Sequence, residues 1–253
     1  MIPTPTQALV RRLAESYANL HPGVSLARAR EQYAAYVQAL RSAGLEVKFV
    51  EADDTRPDCV FVEDTAIVWD GQALLTRMSP HREGEQAGVE DALRPTHRIS
   101  RVAPPGKLEG GDVLHVEDTT YVGLTGRTNE AGVETLREFL TPFGQRIVAV
   151  PVENCLHLKS GVSYLGDATM IVAPELVPAH AFDVPEVIET AREEEYAANC
   201  VRLGSFLLVP AGFPQTEKKL RRFAESRGVE IVPLDCSEFR KGGGSLTCLS
   251  LLW

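Results

Sequence analysis

The sequence has no cysteines at metal-finger or redox spacing. Its five (Cys59, Cys155, Cys200, Cys236 and Cys248) are odd in number and scattered, so neither a disulfide framework nor a structural zinc site is expected, and no cofactor is called for. Basic residues are in deficit. Lys and Arg number 26 against 35 Asp and Glu, a formal charge of −9, and no basic stretch is there to neutralise a phosphate backbone. Nucleic-acid binding is therefore not expected. An acidic balance serves solubility and suits a cationic small ligand. No run approaches the roughly 18 apolar residues of a membrane span. The opening MIPTPTQALVRRLAESY lacks the positive-then-apolar order of a signal peptide, so a cytoplasmic protein is expected. Low-complexity tracts are missing too. What remains is an ordinary globular composition, 253 residues with 44% hydrophobic and 24% charged, long enough for a sizeable core.

A weak repeat runs through that length. VKFVEA begins at Val47, ISRVAP at Ile99, IVAVPV at Ile147 and IVPLD at Ile231. The last gap is nearly twice the others, which places a further member near FDVPEV at Phe182. Five modules of roughly fifty residues follow. Each is read as a helix, a marker strand and a hairpin. ARAREQYAAYVQALRSAG carries Tyr33, Tyr36, Val37 and Leu40 at helical spacing and stops at Gly44. NEAGVETLREFL repeats the pattern behind an Asn129 cap, and TEKKLRRFAESRG does so again before ending at Gly228. VEDTAIVWDGQALLT, HVEDTTYVGL and SGVSYLGDATMIVA read as hairpins, with turns expected at Asp70-Gly71 and Gly166-Asp167. Five such α/β modules in rotation would close into a ring, a single domain over residues 1–253, whose equivalent loops meet near one axis.

The loops after the marker strands carry the chemistry-bearing residues: PDCVFVED, LEGGDV, NCLHLKS, AANC and GGGSLTC. Each alone has a plain reading. Cys248 on an apolar strand can be packing, His157 between leucines a tethered core residue, and the glycines of LEGGDV a bulge. Asp112 reads as a backbone tether in that turn. The acids of VFVED, which reads as a strand with Glu63 and Asp64 on alternate sides, are harder to dismiss, because carboxylates between Val and Phe are costly to bury unless a cation or hydrogen bonds meet them.

Taken in order, PDCVFVED, LEGGDV, GLTGRTN, LHLKS, AANC and SLTC resemble the dimethylarginine dimethylaminohydrolase family of the guanidino-group-modifying superfamily, over nearly the whole chain. The resemblance implies a five-bladed α/β propeller and hydrolysis of Nω-methylated arginines to citrulline and an amine. It implies Cys248 as nucleophile, His157 as general acid/base and Glu109 as its orienting partner. Asp64 with Glu63 would grip the guanidinium. Asp58, Arg82 and Arg127 would face the amino-acid end, with Leu20 on a lid loop and Gly242 a backbone contact. The lid segment NLHPGVSLARA is shorter than the family's usual one.

The chemistry suits those residue types. A guanidinium is resonance-stabilised and cationic, so carboxylates must fix its orientation and hold its charge. Attack needs a thiolate, and an imidazole can protonate the departing amine and then activate water. Two other readings stay open: a relative acting on arginine or another guanidine, and a non-catalytic guanidinium binder. A homodimer is compatible with any exposed flank.

Overall fold

The computed structural model describes residues 4–253. Five three-stranded sheets follow one another, each an antiparallel hairpin whose second strand pairs in parallel with a third. The first contains β1 (Gln7–Arg11) and, after α1 (Tyr17–Leu20) and α2 (Leu26–Ser42), β2 (Glu46–Val50). The second is β3 (Ala66–Trp69), β4 (Gln72–Leu75), α3 (Gln86–Leu93) and β5 (Arg98–Arg101). The third is β6 (Val113–Val116), β7 (Thr119–Leu124), α4 (Glu130–Leu140) and β8 (Arg146–Pro151). The fourth joins β9 (Val162–Gly166), β10 (Thr169–Val172) and β11 (Glu186–Glu189). The fifth has β12 (Val201–Leu203), β13 (Phe206–Pro210), α5 (Pro214–Arg227) and β14 (Glu230–Leu234). Beyond α6 (Ser237–Lys241), β15 (Leu251–Leu252) returns to pair with β1, setting Ala8 opposite Leu252 and Leu9 opposite Leu251. The first blade is thus completed by the last strand, and the α/β propeller closes.

Four marker strands lie where the repeat predicts them, with Val47, Ile99, Ile147 and Ile231 each second in its strand. The fourth blade differs. Its strand begins after Phe182, with Val187 in the equivalent place, and a 3-10 turn at Ala179–Ala181 stands where a helix was expected. Pro174, Pro178 and Pro185 crowd that connection, and proline removes helical donors and clashes with the preceding turn. The third hairpin also turns one residue later than expected, at Asp167-Ala168, both at positive φ.

The helical spacing is used as read. Tyr36, Val37 and Leu40 are buried and Tyr33 half-buried beneath α2, and Gly44 leaves the helix at φ 89°. Asn129 caps α4 by accepting from the Gly132 N–H at 2.9 Å, while its amide donates to Pro105 O at 3.0 Å. Asn129→Ala is expected to cost about 1–2 kcal/mol, read as a lower urea midpoint at unchanged slope.

Five 3-10 turns precede the first strands of the hairpins: Val62–Thr65, Gly110–Asp112, Leu158–Ser160, Glu195–Ala198 and Thr247–Leu249. Neighbouring turns touch from blade to blade. They form an inner ring, and every loop singled out in the sequence contributes to it.

Candidate active site

VFVED reads as a strand but forms a 3-10 turn. Thr65 Oγ1 donates to Val62 O at 2.7 Å, and Thr76 Oγ1 donates to Asp64 O at 2.6 Å. These hydroxyl bonds hold the backbone in its tight form. Successive side chains on such a turn diverge by about 120°, so the two buried acids part. Glu63 accepts from Lys159 Nζ at 2.6 Å and from Thr247 Oγ1 at 2.9 Å. Asp64 accepts from the Gly111 N–H at 2.9 Å and from Arg82 Nη1, and lies 3.8 Å from His157 Nε2.

LEGGDV brings Glu109 to His157, with Oε2 and Nε2 2.8 Å apart. The other oxygen of Glu109 accepts from the Ser79 N–H at 2.9 Å and Ser79 Oγ at 2.7 Å, and stands 3.6 Å from Arg127 Nη1. The glycines serve close approach rather than a bulge. A Cβ on Gly110 would overlap Glu63 O, and one on Gly111 would lie 2.7 Å from the His157 ring and 2.9 Å from Asp64 Oδ1. Asp112, expected to tether its own turn, reaches other segments instead. It accepts from the Leu158 N–H at 2.9 Å, Thr125 Oγ1 at 2.8 Å and Thr128 Oγ1 at 2.6 Å, which anchors the loop holding His157.

Cys248, expected on a strand, sits in the Thr247–Leu249 turn, with its N–H donating to Ser245 O at 3.2 Å. With Glu63, Gly111, His157, Lys159 and Asn199 it lines a cavity of about 70 Å³, the volume of about two water molecules. A larger cavity, about 700 Å³, shares Glu63, Lys159 and Thr247 and is lined elsewhere by strand residues such as Ile67, Val113 and Leu252 together with turn residues such as Asp167 and Gly204. Those three shared side chains partition the two.

The charges are arranged for a cation. Burial alone would depress His157, but Asp64, Glu109 and Asp112 outweigh it and hold the imidazolium up to about 9. Burial would raise Asp64, yet His157 and Arg82 hold it down to about 2. Burial and the carboxylates of Glu63 and Asp64 push the Cys248 thiol up to about 12, against Lys159. The thiol is protonated in the free protein. Asp64, Glu109 and His157 present ligand atoms within 4.8 Å of one another, a spacing able to hold a divalent ion. Here Arg82 and the imidazolium already meet those carboxylates.

The expected amino-acid-end residues are distributed unevenly. Asp58 Oδ1 is 2.6 Å from His21 Nε2. Beside it Leu20, on α1, is exposed. Tyr17 packs against His21, Phe61 and Phe239 at centroid distances of 4.8, 5.9 and 5.9 Å, and a Cβ on Gly242 would overlap its hydroxyl. Lid, Asp58 and Gly242 are therefore one cluster. Arg127 is partly exposed and donates to Ser79 Oγ. Arg82 departs from its expected place. It is buried, and its guanidinium is taken up by Asp64, by both oxygens of Glu85 and by Phe61 O. Four of its five N–H groups are engaged in this way, and it anchors Asp64. Sequence reading passed over Lys159, Thr247, Ser79 and His21. Lys159 and Thr247 carried a signal, each lying within two residues of His157 or Cys248.

The sequence model described as N,N dimethylarginine dimethylhydrolase, eukaryotic, matches residues 14–251. The chain belongs to the dimethylarginine dimethylaminohydrolase family. It is 34% identical to the N(G),N(G)-dimethylarginine dimethylaminohydrolase of Pseudomonas aeruginosa, over 98% of this chain and 96% of that one. It is 45% identical to the protein of the same name from Streptomyces coelicolor, over 88% and 85%. The solved Pseudomonas aeruginosa dimethylarginine dimethylaminohydrolase, a cysteine-to-serine variant complexed with citrulline, superposes with a TM-score of 0.92 at 31% identity, covering 99% of this chain and 100% of that one. The five-bladed fold is thus the fold of a dimethylarginine dimethylaminohydrolase. Among the described residues no helix is long and apolar enough to cross a membrane.

Proposed function

We propose that the protein hydrolyses Nω-methylated arginines to citrulline and methylamine or dimethylamine through a covalent intermediate on Cys248. One observation carries this reading: a thiol, an imidazolium and a buried carboxylate, from three separate loops, line a single small cavity. All five inner loops contribute to that wall, so we take residues 1–253 as one domain. The substrate's guanidinium enters between Glu63, Asp64 and Cys248, and its positive charge lowers the thiol pKa, releasing the thiol proton to solvent. The thiolate adds to the guanidinium carbon. His157 gives its proton to the departing amine as the C–N bond breaks, leaving a thiouronium. Neutral His157 then takes a proton from water, hydroxide adds to the same carbon, the C–S bond breaks with its electron pair on sulfur, the new hydroxyl gives its proton to that thiolate and the neutral ureido product leaves. Glu109 orients the ring throughout. Asp58 and Arg127, with the lid residue Leu20 and the Gly242 backbone, face the amino-acid end, and Arg82 acts through Asp64. The substrate is a free small molecule.

Citrulline release from dimethylarginine, monomethylarginine, arginine and agmatine tests the assignment. The methylated arginines are expected to exceed arginine by about tenfold or more in kcat/KM, the scale of a methyl-sized difference. Agmatine, lacking a carboxylate, is expected to fall below all three. Turnover led by arginine would assign the protein to deimination, and binding without turnover would assign it to guanidinium capture.

A further inference from the structure

AANC is the one inner-ring motif without a role in the chemistry above, and its Asn199 is buried at 3% exposure. Its carboxamide is fully used. Oδ1 accepts from the Thr247 N–H at 3.0 Å, while Nδ2 donates to Lys159 O at 2.9 Å and to Thr247 Oγ1 at 3.0 Å. The peptide N–H can only donate and the Lys159 carbonyl can only accept, so the orientation of the amide is determined. This has a consequence one bond further on. Thr247 Oγ1 receives a hydrogen from Asn199, so its own hydrogen points elsewhere, and the group within reach is Glu63 Oε2 at 2.9 Å. The remaining Glu63 oxygen is held by Lys159 Nζ at 2.6 Å. A closed circuit results, linking Asn199, Thr247, Glu63 and Lys159 across four inner loops, with Lys159 O returning to Asn199.

We propose that Asn199 and Thr247 form a donor relay that keeps Glu63 ionised and aimed at the guanidinium, making both residues positioning residues for substrate binding. The inference rests on the guanidinium-gripping role given to Glu63 above. The electrostatics support it. Burial and the Asp64 carboxylate raise the Glu63 pKa, while Lys159 and the Thr247 hydroxyl act against them. In a buried site, a carboxylate with one donor fewer protonates more readily and turns more freely. Thr247 adjoins Cys248, so the same hydroxyl also fixes where the grip stands relative to the sulfur.

The test compares Thr247→Val, Thr247→Ser, Asn199→Asp, the Asn199→Asp/Thr247→Val pair and Glu63→Gln in the full chain, with dimethylarginine as substrate. Valine keeps the volume of threonine and leaves the Thr247 N–H to Asn199, so this variant retains the fold if Asn199→Asp does not. Thr247→Val is expected to raise KM roughly ten- to hundredfold, the scale of one hydrogen bond to a charged group, with a smaller change in kcat. Its acid-side inflection in kcat/KM should move to higher pH, because Glu63 has lost a donor. Thr247→Ser should stay within about threefold of the parent. Asn199→Asp lets the Thr247 hydroxyl turn away from Glu63, so its KM effect should largely vanish in the Thr247→Val background. Wild-type KM and pH profile in Thr247→Val, or full additivity in the pair, would overturn the relay. If Glu63→Gln raises KM while Thr247→Val does not, the relay alone fails. If Glu63→Gln itself leaves KM unchanged, the grip assigned to Glu63 falls and the relay with it.

Discussion

Cys248→Ser is expected to lower citrulline release from dimethylarginine by about four orders of magnitude or more, the scale on which single nucleophile removals fall. A serine hydroxyl is far less acidic than a thiol, and in this cavity even the thiol is pushed up to about 12. The guanidinium charge that ionises sulfur is insufficient for oxygen. Glu63, Asp64 and Lys159 remain in place, so dimethylarginine should still bind, and isothermal calorimetry should return an affinity close to the parent's. Intact-protein mass spectrometry after acid quench supplies the complementary reading. The parent should carry a substrate-derived adduct that maps to the peptide containing Cys248, and the serine variant should carry none. An adduct on Cys155, Cys200 or Cys236 would reassign the nucleophile.

His157→Gln is expected to reduce kcat by about 10²- to 10⁴-fold, the range of a positioned acid and base, with a smaller effect on binding. The pH dependence carries the sharper content. The folded protein raises the imidazolium pKa to about 9 from its ordinary value near 6.5. The acid needed for amine departure is thus present across neutral pH and is lost as pH climbs through 9. The kcat/KM of the parent should fall on its alkaline side near that value. Glu109 is among the groups that hold the proton on His157, so Glu109→Gln should shift this alkaline limb to lower pH as well as reduce the rate. A limb that stays where it was in Glu109→Gln would mean that another group governs it. On the acid side, Asp64 stays ionised to about 2 because His157 and Arg82 outweigh its burial, so the acid limb is left to Glu63, whose burial raises it, and to the Cys248 thiol, which must lose its proton to attack.

Blade boundaries were legible because the third strand of most blades opens on a β-branched residue behind a charged one, and because α2, α4 and α5 carry enough apolar spacing to show their buried faces. α3 escaped notice. It is eight residues long and buries only Val89 and Leu93, too few to establish a period. The β12–β13 hairpin escaped because FLLVP, buried on both faces, reads as a bare apolar run rather than an alternation. VFVED and SLTC were read as strands for a related reason. Apolar residues flank them, but hydroxyl-to-carbonyl bonds from Thr65 within the turn and from Thr76 on the far side of the hairpin wind the first into a tight turn, and the Thr76 partner is outside local range. The residues with the most demanding chemistry stood out as polar groups in apolar company. Their supports did not, since nothing in SPHREGE announces that Glu85 and Asp64 will consume the Arg82 guanidinium, or that Ser79 will hold Glu109. Composition points to a reactive group, whereas the groups that aim it become visible only when loops from different blades meet.

The ring is joined at a narrow seam. β15 has two paired residues, supplemented by Thr6 and Gln7 N–H groups donating to Trp253 O at 2.9 Å each, and Cys248 lies only three residues ahead of that strand. Short pairings open locally more cheaply than long ladders. If this one lets go, the segment carrying the sulfur loses one of its anchors while the other four blades keep their own ladders. Catalytic competence and structural integrity are therefore separable in this architecture: heat or denaturant can silence the protein well before it melts.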